Sequence, residues 1–331
     1  MQKMPKKRIR IHKARPKVGL ALSGGVVRGI SHIGVLKVLE REKIPIDLIA
    51  GTSIGAIIGG LYASGVKASE MERLVRTTEL RKLIDFTVPK TGFIAGKRIE
   101  SYIRNIIKNK NFEALPIPLS IIATELNRGE KVIFNQGSLT KAIMASISMP
   151  GIFEPVIDHN SILVDGGLVD PIPVDLVKEM GADIVIAIDL TIDIKQTNLS
   201  EIKKEESAFT EYFERELVST ELGYLKSFLR KKKIKLPSFL RKFLKPKKML
   251  ELLFGIGLPE IVKYRVRSMD ILGNQLAKEK LKYPYVDIII RPEFEGVKWT
   301  EFDKTNEIVR AGEIAAEAAI PKIKKLIYKK W

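Results

Sequence analysis

The sequence contains no cysteine, and this absence excludes several kinds of site at once. Disulfides, thiolate metal centres and cysteine nucleophiles all need the missing side chain. Only three histidines occur among 331 residues, and the carboxylates form no cluster typical of a metal site. We therefore expect no metal and no cofactor, and we expect the chemistry to come from oxygen or nitrogen groups of the chain itself.

Long hydrophobic runs are also absent. No apolar stretch reaches the roughly 18 residues that a membrane-spanning helix needs. The basic N-terminal segment leads directly into Val18–Leu22, with no hydrophobic core or cleavage site of a signal peptide between them. The chain is 45% hydrophobic and 29% charged, a composition typical of a globular protein. The sequence thus predicts a cytoplasmic protein, with peripheral contact at the inner membrane face as an addition.

Two segments contain no acidic residue. Residues 1–17 hold eight lysines and arginines, and residues 222–250 hold eleven, so the rest of a chain of net charge +18 is close to neutral. Two cationic segments on a neutral body suggest contact with a polyanion. The second segment also carries apolar side chains at helical spacing, which are Leu225, Phe228, Leu229, Phe239, Leu240, Phe243 and Leu244. This stripe favours an anionic membrane over nucleic acid, while packing of an amphipathic helix pair on the body is the alternative.

The pentapeptide Gly51-Thr52-Ser53-Ile54-Gly55 follows a short apolar run and precedes Ala56–Leu61, which is typical of a closely packed helix. A serine in a sharp strand-to-helix turn presents its hydroxyl above the sheet edge. The glycines two residues to either side, Gly51 and Gly55, let strand and helix pass closely. This GxSxG pattern predicts that Ser53 is a nucleophile. A turn whose serine only caps the helix is the alternative.

A second glycine-rich turn, Ser23–Gly29, lies between a predicted strand at Val18–Leu22 and a predicted helix from about Ile30 to Arg41. Its backbone N–H groups suit either a bound phosphate or a developing oxyanion. Val26 stands where a dinucleotide-binding GxGxxG motif needs its second glycine, and no Walker lysine follows. The pattern therefore favours an oxyanion hole, at the same sheet edge as the serine turn.

These turns and three later blocks resemble the patatin-like phospholipases. Gly19–Leu36 is similar to the first block of that family, and a GTSIGA elbow follows it at the usual interval. Ala145–Pro155, Asp165–Val174 and Gly181–Asp189 are similar to later blocks, so the resemblance covers residues 17–190. The family usually has a third glycine where this chain has Val26.

The resemblance implies a serine–aspartate dyad. The base is then the aspartate of the family's DG[GA] motif, which here is Asp165 followed by Gly166 and Gly167. The oxyanion donors implied are the N–H groups of Gly24, Gly25 and Val26.

Arg28 has two interpretations of equal weight, contact with a substrate phosphate or pairing within its own loop. The histidines leave a triad open as an alternative to the dyad. His12 lies in the basic arm, His32 near the start of the first helix and His159 in a predicted hairpin turn. None of the three is excluded by sequence, and none is well placed to serve Ser53.

The function implied is a serine acyl-ester hydrolase acting on phospholipids or lysophospholipids. An esterase or thioesterase of soluble substrates would keep Ser53 and Asp165 but would not need the cationic segments. A non-catalytic protein that binds membrane or nucleic acid would keep the segments but would not need the dyad.

The expected fold is a three-layer α/β/α sandwich with a central, mostly parallel sheet. We expect a basic arm at residues 1–17, a catalytic core at 18–190 and a mostly helical cationic insertion at 191–284. Residues 285–331 should return to the core with a last strand and a closing helix.

Overall fold

The computed structural model describes residues 15–85, 91–191, 258–294 and 304–330. Eight strands form one sheet in these ranges. The strands are β1 Val18–Leu22, β2 Leu48–Thr52, β3 Leu119–Glu125, β4 Glu130–Phe134, β5 Val156–Asp158, β6 Ser161–Asp165, β7 Ile184–Ile188 and β8 Ile288–Ile290. The α-helices are α1 Ser31–Arg41, α2 Ile54–Ala63, α3 Ala68–Thr77, α4 Lys97–Ile106, α5 Leu139–Ile147, α6 Val174–Glu179, α7 Leu258–Lys280 and α8 Thr305–Lys330.

The sheet is mixed and mostly parallel. Its order is β5-β6-β3-β2-β1-β7-β8, and β4 pairs with β3 outside this path. Strands β8, β7, β1, β2 and β3 run parallel to one another, whereas β4 and β6 are antiparallel to β3 and β5 is antiparallel to β6. The loops after β1 and β2 therefore meet at one sheet edge, because the carboxyl ends of parallel neighbours lie side by side.

Helices cover both faces of the sheet, which confirms the predicted α/β fold. Strand β1 is buried along its whole length. Its Leu20 and Leu22 contribute to a large apolar cluster with α1, α2, α5 and α8, while Ala21 points to a second cluster with α6 and α7. The alternation follows from the two-residue period of a strand.

The last helix packs closely against the first one. A Cβ atom on Gly34 of α1 would overlap the carbonyl of Val309, and a Cβ on Gly312 of α8 would overlap the carbonyl of Ser31. Lys37 Nζ also lies 2.5 Å from a carboxylate oxygen of Glu313. Two small residues thus allow the backbones of α1 and α8 to approach each other.

Some predicted elements differ from the structure. The apolar run at Ile152–Val156, before the turn Asp158-His159-Asn160, predicts the first strand of a hairpin. In the structure this strand is Val156–Asp158, because the residues before it bond elsewhere. The Ile152 carbonyl accepts the N–H of Ile94, and Glu154 donates its own N–H to the carbonyl of Ile94. The sequence also predicts a helix over residues 69–81, and the structure ends this helix at Thr77. Residues 1–14 of the predicted basic arm and the apolar stripe within residues 225–253 lie outside the described residues.

Candidate active site

Ser53 lies in a strained turn between β2 and α2. Its backbone angles are φ 55° and ψ −123°, a region that a residue with a Cβ rarely occupies. Two buried groups hold the turn: the Ser53 N–H donates to Ser146 Oγ at 2.8 Å, and Thr52 Oγ1 donates to the Asp170 carbonyl at 2.8 Å. Tertiary contacts on both sides therefore maintain this conformation.

The two glycines of the pentapeptide are required by close backbone contacts. A Cβ on Gly51 would overlap the carbonyl of Gly55, and a Cβ on Gly55 would overlap the carbonyls of Leu22 and Ser23. The strand, the turn and the start of α2 pass one another at backbone distance. This is the steric reason for the spacing that the sequence displays.

Asp165 contacts Ser53 directly. Ser53 Oγ donates a hydrogen bond of 2.7 Å to Asp165 Oδ2, and Asp165 Oδ1 accepts the N–H of Gly167 at 2.7 Å. Thr124 Oγ1 donates to the Asp165 carbonyl at 2.8 Å and ties the end of β6 to β3. The structure therefore brings together a serine hydroxyl and a carboxylate whose orientation is fixed.

Burial raises the pKa of Asp165 to about 6, while its hydrogen bonds from Ser53 and Gly167 lower the pKa and only partly offset the burial. The side chain is almost completely buried, so water cannot stabilise its charge. A carboxylate with a raised pKa is a stronger base than an exposed one and is still ionised at neutral pH. Asp165 can accept the Ser53 proton under these conditions.

An open cleft surrounds the two side chains. One wall comes from the glycine turn after β1, and the facing wall is helix α7. Cleft residues from α7 are Met269, Asp270, Gly273, Asn274 and Ala277. Apolar residues from elsewhere in the chain are Val26, Met149, Pro171 and Leu190. The cleft thus combines a reactive serine with a largely aliphatic surface.

The glycine turn lies against the serine but supplies fewer N–H groups than predicted. A Cβ on Gly24 would lie 3.4 Å from Ser53 Cβ. The Gly24 N–H already donates to the Pro171 carbonyl at 3.0 Å, so it is engaged and the prediction of three donors needs correction. Gly25 and Val26 stand at the start of the 3-10 helix Val26–Ile30, where N–H groups have no acceptor within the helix.

Val26 has a φ of 48°, in the left-handed region that favours glycine. The family's usual glycine would adopt this conformation without strain, whereas a β-branched residue adopts it at a cost. Val26 therefore holds a backbone conformation that the family's usual glycine would adopt more easily.

Arg28 also lines the cleft, where Asp270 of α7 faces it. The Arg28 side chain is 6% exposed, and one of its terminal nitrogens lies 3.6 Å from Asp270 Oδ1. Burial raises the pKa of Asp270, although the positive charges of Arg28 and Arg267 both lower it. Neither of the two interpretations of Arg28, contact with a substrate phosphate or pairing within its own loop, anticipates this ion pair, which joins the glycine turn to α7.

Neither of the two histidines in the described ranges lines the cleft. His32 is buried, and its Nε2 bonds to the Ser23 carbonyl at 2.9 Å. Burial lowers the pKa of His32 to about 4, so the ring is neutral and donates this bond. His159 is exposed in the turn between β5 and β6, and His12 lies outside the described residues.

Two contributions to the site were not predicted from the sequence. Ser146 of α5 positions the serine turn through its hydroxyl, and the only sequence signal was its place in a block that resembles the family. Helix α7 forms a wall of the cleft, although its residues were assigned to the insertion at 191–284. Within the four described ranges no group of His, Asp and Glu could hold a metal ion, and every helix is too short or too polar to span a bilayer.

Comparison with known proteins gives a consistent result. Residues 20–178 match the family model of the patatin-like phospholipases. The chain is 36% identical over 181 residues to human patatin-like phospholipase domain-containing protein 6. This alignment covers 52% of the present chain and 13% of the human protein. It is 38% identical over 178 residues to an uncharacterized NTE family protein of Mycobacterium tuberculosis, in an alignment that covers 53% of the present chain and 49% of the mycobacterial protein. The chain thus spans at most about half the length of these curated relatives.

A solved structure shares the fold. The crystal structure of VipD from Legionella pneumophila matches with a TM-score of 0.53 and 15% sequence identity, covering 94% of this chain and 67% of that chain. At this identity the likeness concerns the architecture of sheet and helices, and the chemistry has to be argued from the site.

Proposed function

Because residues 20–178 belong to the patatin-like phospholipase family, we propose that the protein is a serine acyl-ester hydrolase that acts on phospholipids or lysophospholipids. The observation that carries the proposal is the 2.7 Å hydrogen bond from Ser53 Oγ to Asp165. It places a nucleophile beside a buried base in a cleft with aliphatic walls. A serine that merely capped α2 would not need a carboxylate as its hydrogen-bond acceptor.

The reaction follows from this geometry. As Ser53 Oγ attacks the ester carbonyl carbon, its proton passes to Asp165, and the carbonyl oxygen becomes an oxyanion. The N–H groups of Gly25 and Val26 are the donors that we assign to this oxyanion. When the intermediate collapses, Asp165 returns the proton to the leaving alcohol, and an acyl group remains on Ser53. Water then attacks the acyl-enzyme while Asp165 accepts its proton, and the proton returns to Ser53 Oγ as the fatty acid leaves.

The cleft suits an acyl chain better than a small polar acid. Its apolar residues include Leu190 on the segment after β7 and Met269 and Ala277 on α7. Burial of an aliphatic chain there would contribute roughly 0.8 kcal/mol for each methylene group. Arg28 pairs with Asp270 of α7, so we assign it to joining the glycine turn to that helix and not to binding a phosphate.

The test of this function is product analysis. Purified protein is incubated with phospholipid and lysophospholipid vesicles and, in parallel, with a short soluble ester. We expect fatty acid and the matching lysolipid or glycerophosphodiester from the lipids, and none of these from a Ser53→Ala preparation. Hydrolysis of the soluble ester alone would support the esterase alternative, and hydrolysis of neither would contradict the proposal.

Activity should fall as the pH drops through about 6, because Asp165 must be ionised to accept the Ser53 proton. The expected kcat/KM on a short ester is constant above this pH and decreases about tenfold per pH unit below it. Stopped assays in buffers of constant ionic strength measure the profile. An inflection near 4, the value of an exposed carboxyl group, would show that Asp165 is not the base.

We also propose that the cationic segments bind an anionic membrane surface. Lysines near such a surface contribute about 1 kcal/mol each, and apolar side chains then hold a helix among the headgroups. The protein should sediment with anionic vesicles far more than with zwitterionic ones. Replacing Phe239, Leu240, Phe243 and Leu244 by Ser should reduce activity on vesicles and spare the short ester. Equal loss of both activities, or unfolding, would instead identify the stripe as core packing.

A further inference from the structure

Four charged side chains form a cluster beside the cleft and outside the dyad. Two are lysines, Lys131 of β4 and Lys280 of α7. The other two are carboxylates, Asp170 in the segment before α6 and Asp175 in α6. Lys131 Nζ lies 3.1 Å from Asp170 Oδ2 and 3.2 Å from Asp175 Oδ2. Lys280 Nζ lies 3.3 Å from Asp170 Oδ2 and 2.6 Å from Asp175 Oδ2. Each lysine thus bridges both carboxylates.

The cluster is poorly suited to the single purpose of stabilising the fold. Asp170 is fully buried, and burial together with the charge of Asp175 raises its pKa in spite of the two lysines. The Oδ1 atoms of Asp170 and Asp175 are buried without a hydrogen-bond partner in the described part of the chain. Buried ion clusters seldom stabilise a protein more than apolar residues of the same volume would. In this cluster each lysine contacts both carboxylates, so it ties β4 and α7 to the segment that carries Asp170 and Asp175.

The backbone of Asp170 is tied to both members of the dyad. Its N–H donates at 2.9 Å to the carbonyl of Gly166, the residue that follows Asp165. Its carbonyl accepts a hydrogen bond of 2.8 Å from the hydroxyl of Thr52, the residue that precedes Ser53. A side chain that binds the Asp170 carboxylate is therefore anchored to the segment that holds the reacting groups.

Lys280 supplies this anchor to the opposite wall of the cleft. Ala277 lies one turn before Lys280 on α7 and Gly273 two turns before it, and both line the cleft. Ala277 is fully buried, and a Cβ on Gly273 would meet Pro171 at 4.0 Å. A slip of α7 by one residue moves it about 1.5 Å along its axis and rotates it by roughly 100°. Such a slip would carry Lys280 Nζ away from the two carboxylates.

We propose that Lys280 is a positioning residue that fixes the register of α7 on the catalytic core and so shapes the wall that receives the acyl chain or headgroup of the substrate. The inference rests on the proposed hydrolase function. Loss of Lys280 should therefore affect activity on lipids more than activity on a short ester. A short ester needs only Ser53, Asp165 and the glycine turn, whereas a lipid also contacts α7.

The test compares Lys280→Met with Lys282→Met, a matched control on an exposed lysine that pairs with Glu279. Substrates are a monomeric lysophospholipid below its micelle concentration and a short soluble ester. In Lys280→Met the KM for the lysophospholipid should rise roughly tenfold, while kcat/KM for the short ester stays within about twofold. Lys280→Arg, whose guanidinium can also bridge two carboxylates, should restore the KM. Lys282→Met should behave like the wild type.

A double variant separates positioning from simple stabilisation. Lys280→Met leaves one lysine for two carboxylates, of which Asp170 is fully buried, so its Tm should fall. Adding Asp175→Asn restores the charge balance between Lys131 and Asp170, so the Tm should recover while the raised lysophospholipid KM persists. Recovery of KM together with Tm, or an equal change on both substrates, would overturn the positioning role. A wild-type protein that hydrolyses neither substrate would instead contradict the proposed function.

Discussion

Replacing Ser53 by Ala is expected to lower turnover by at least roughly three orders of magnitude, and Asp165→Asn should do the same. The two groups share one proton through a 2.7 Å hydrogen bond, so neither is expected to work without the other. An asparagine cannot accept the serine proton, and its single amide oxygen can accept only one of the two hydrogen bonds that Ser53 and Gly167 donate to Asp165. Initial rates on a short ester, with active-site titration by a phosphonate, measure the loss.

Two histidine variants are the controls for this result, and the Tm of Asp165→Asn provides a separate check. His159→Ala should retain nearly full activity, because the side chain is exposed in the β5–β6 turn. His32→Gln should keep measurable activity, since an amide can still donate to the Ser23 carbonyl. An enzyme with either substitution that is as inactive as Ser53→Ala would reinstate a histidine base and remove Asp165 from that role.

Asp165→Asn should also unfold at a higher temperature than the wild type at pH 8. The folded pKa of about 6 lies above the ordinary value of 3.8, so ionisation of the carboxylate increasingly disfavours the folded state between these values, and the full penalty is present above about pH 6. The penalty disappears as the pH falls below the unfolded value, where the group is protonated in both states. The difference in Tm between the two proteins should therefore shrink from pH 8 to pH 4.

Replacing Gly55 by Ala is the second large effect that we expect. The new methyl group would overlap the carbonyls of Leu22 and Ser23, which belong to the backbone of β1 and its turn and cannot rotate away. Either the serine turn or the glycine turn has to move. We expect a loss of about 2–4 kcal/mol in the free energy of unfolding and at least a roughly hundredfold loss of kcat/KM. Urea unfolding and the ester assay give the two values.

Gly59→Ala on the same helix is the matched control. Its Cβ would lie 3.1 Å from a methyl group of Ile49 and 3.2 Å from one of Leu22, and these side chains can shift by a few tenths of an ångström. Alanine also gains up to about 1 kcal/mol of helix propensity over glycine. The free energy of unfolding should change by less than about 1 kcal/mol, with activity retained. Equal effects of Gly55→Ala and Gly59→Ala would contradict the backbone-contact argument.

Local features of the site follow from the sequence because they depend on neighbouring residues. The spacing of Gly51, Ser53 and Gly55 specifies a sharp turn with small residues at its crossing points, and the structure shows this turn. The short, nearly continuous apolar runs also predict the buried parallel strands. In both cases the deciding contacts involve residues a few positions apart or a regular period.

The arrangement of the cleft depends on residues that are distant in the sequence. Asp165 lies 112 positions from Ser53, and only the antiparallel pairing of β6 with β3 brings the carboxylate to the serine. The composition of residues 191–284 indicates helices and positive charge, but it does not indicate that α7 covers the cleft. Likewise, no local pattern shows that the Pro171 carbonyl takes the Gly24 N–H.

The sequence by itself therefore determined the turn that carries Ser53, the parallel strands and the motif that contains Asp165. The tertiary structure decided that the Gly24 N–H bonds to the Pro171 carbonyl, which helix faces the serine, and that Arg28 meets Asp270. The physical reason is the range of the interactions. Backbone angles and hydrophobic periodicity act over a few residues, whereas hydrogen bonds and ion pairs between distant segments exist only after the packing of the sheet and helices has set their register.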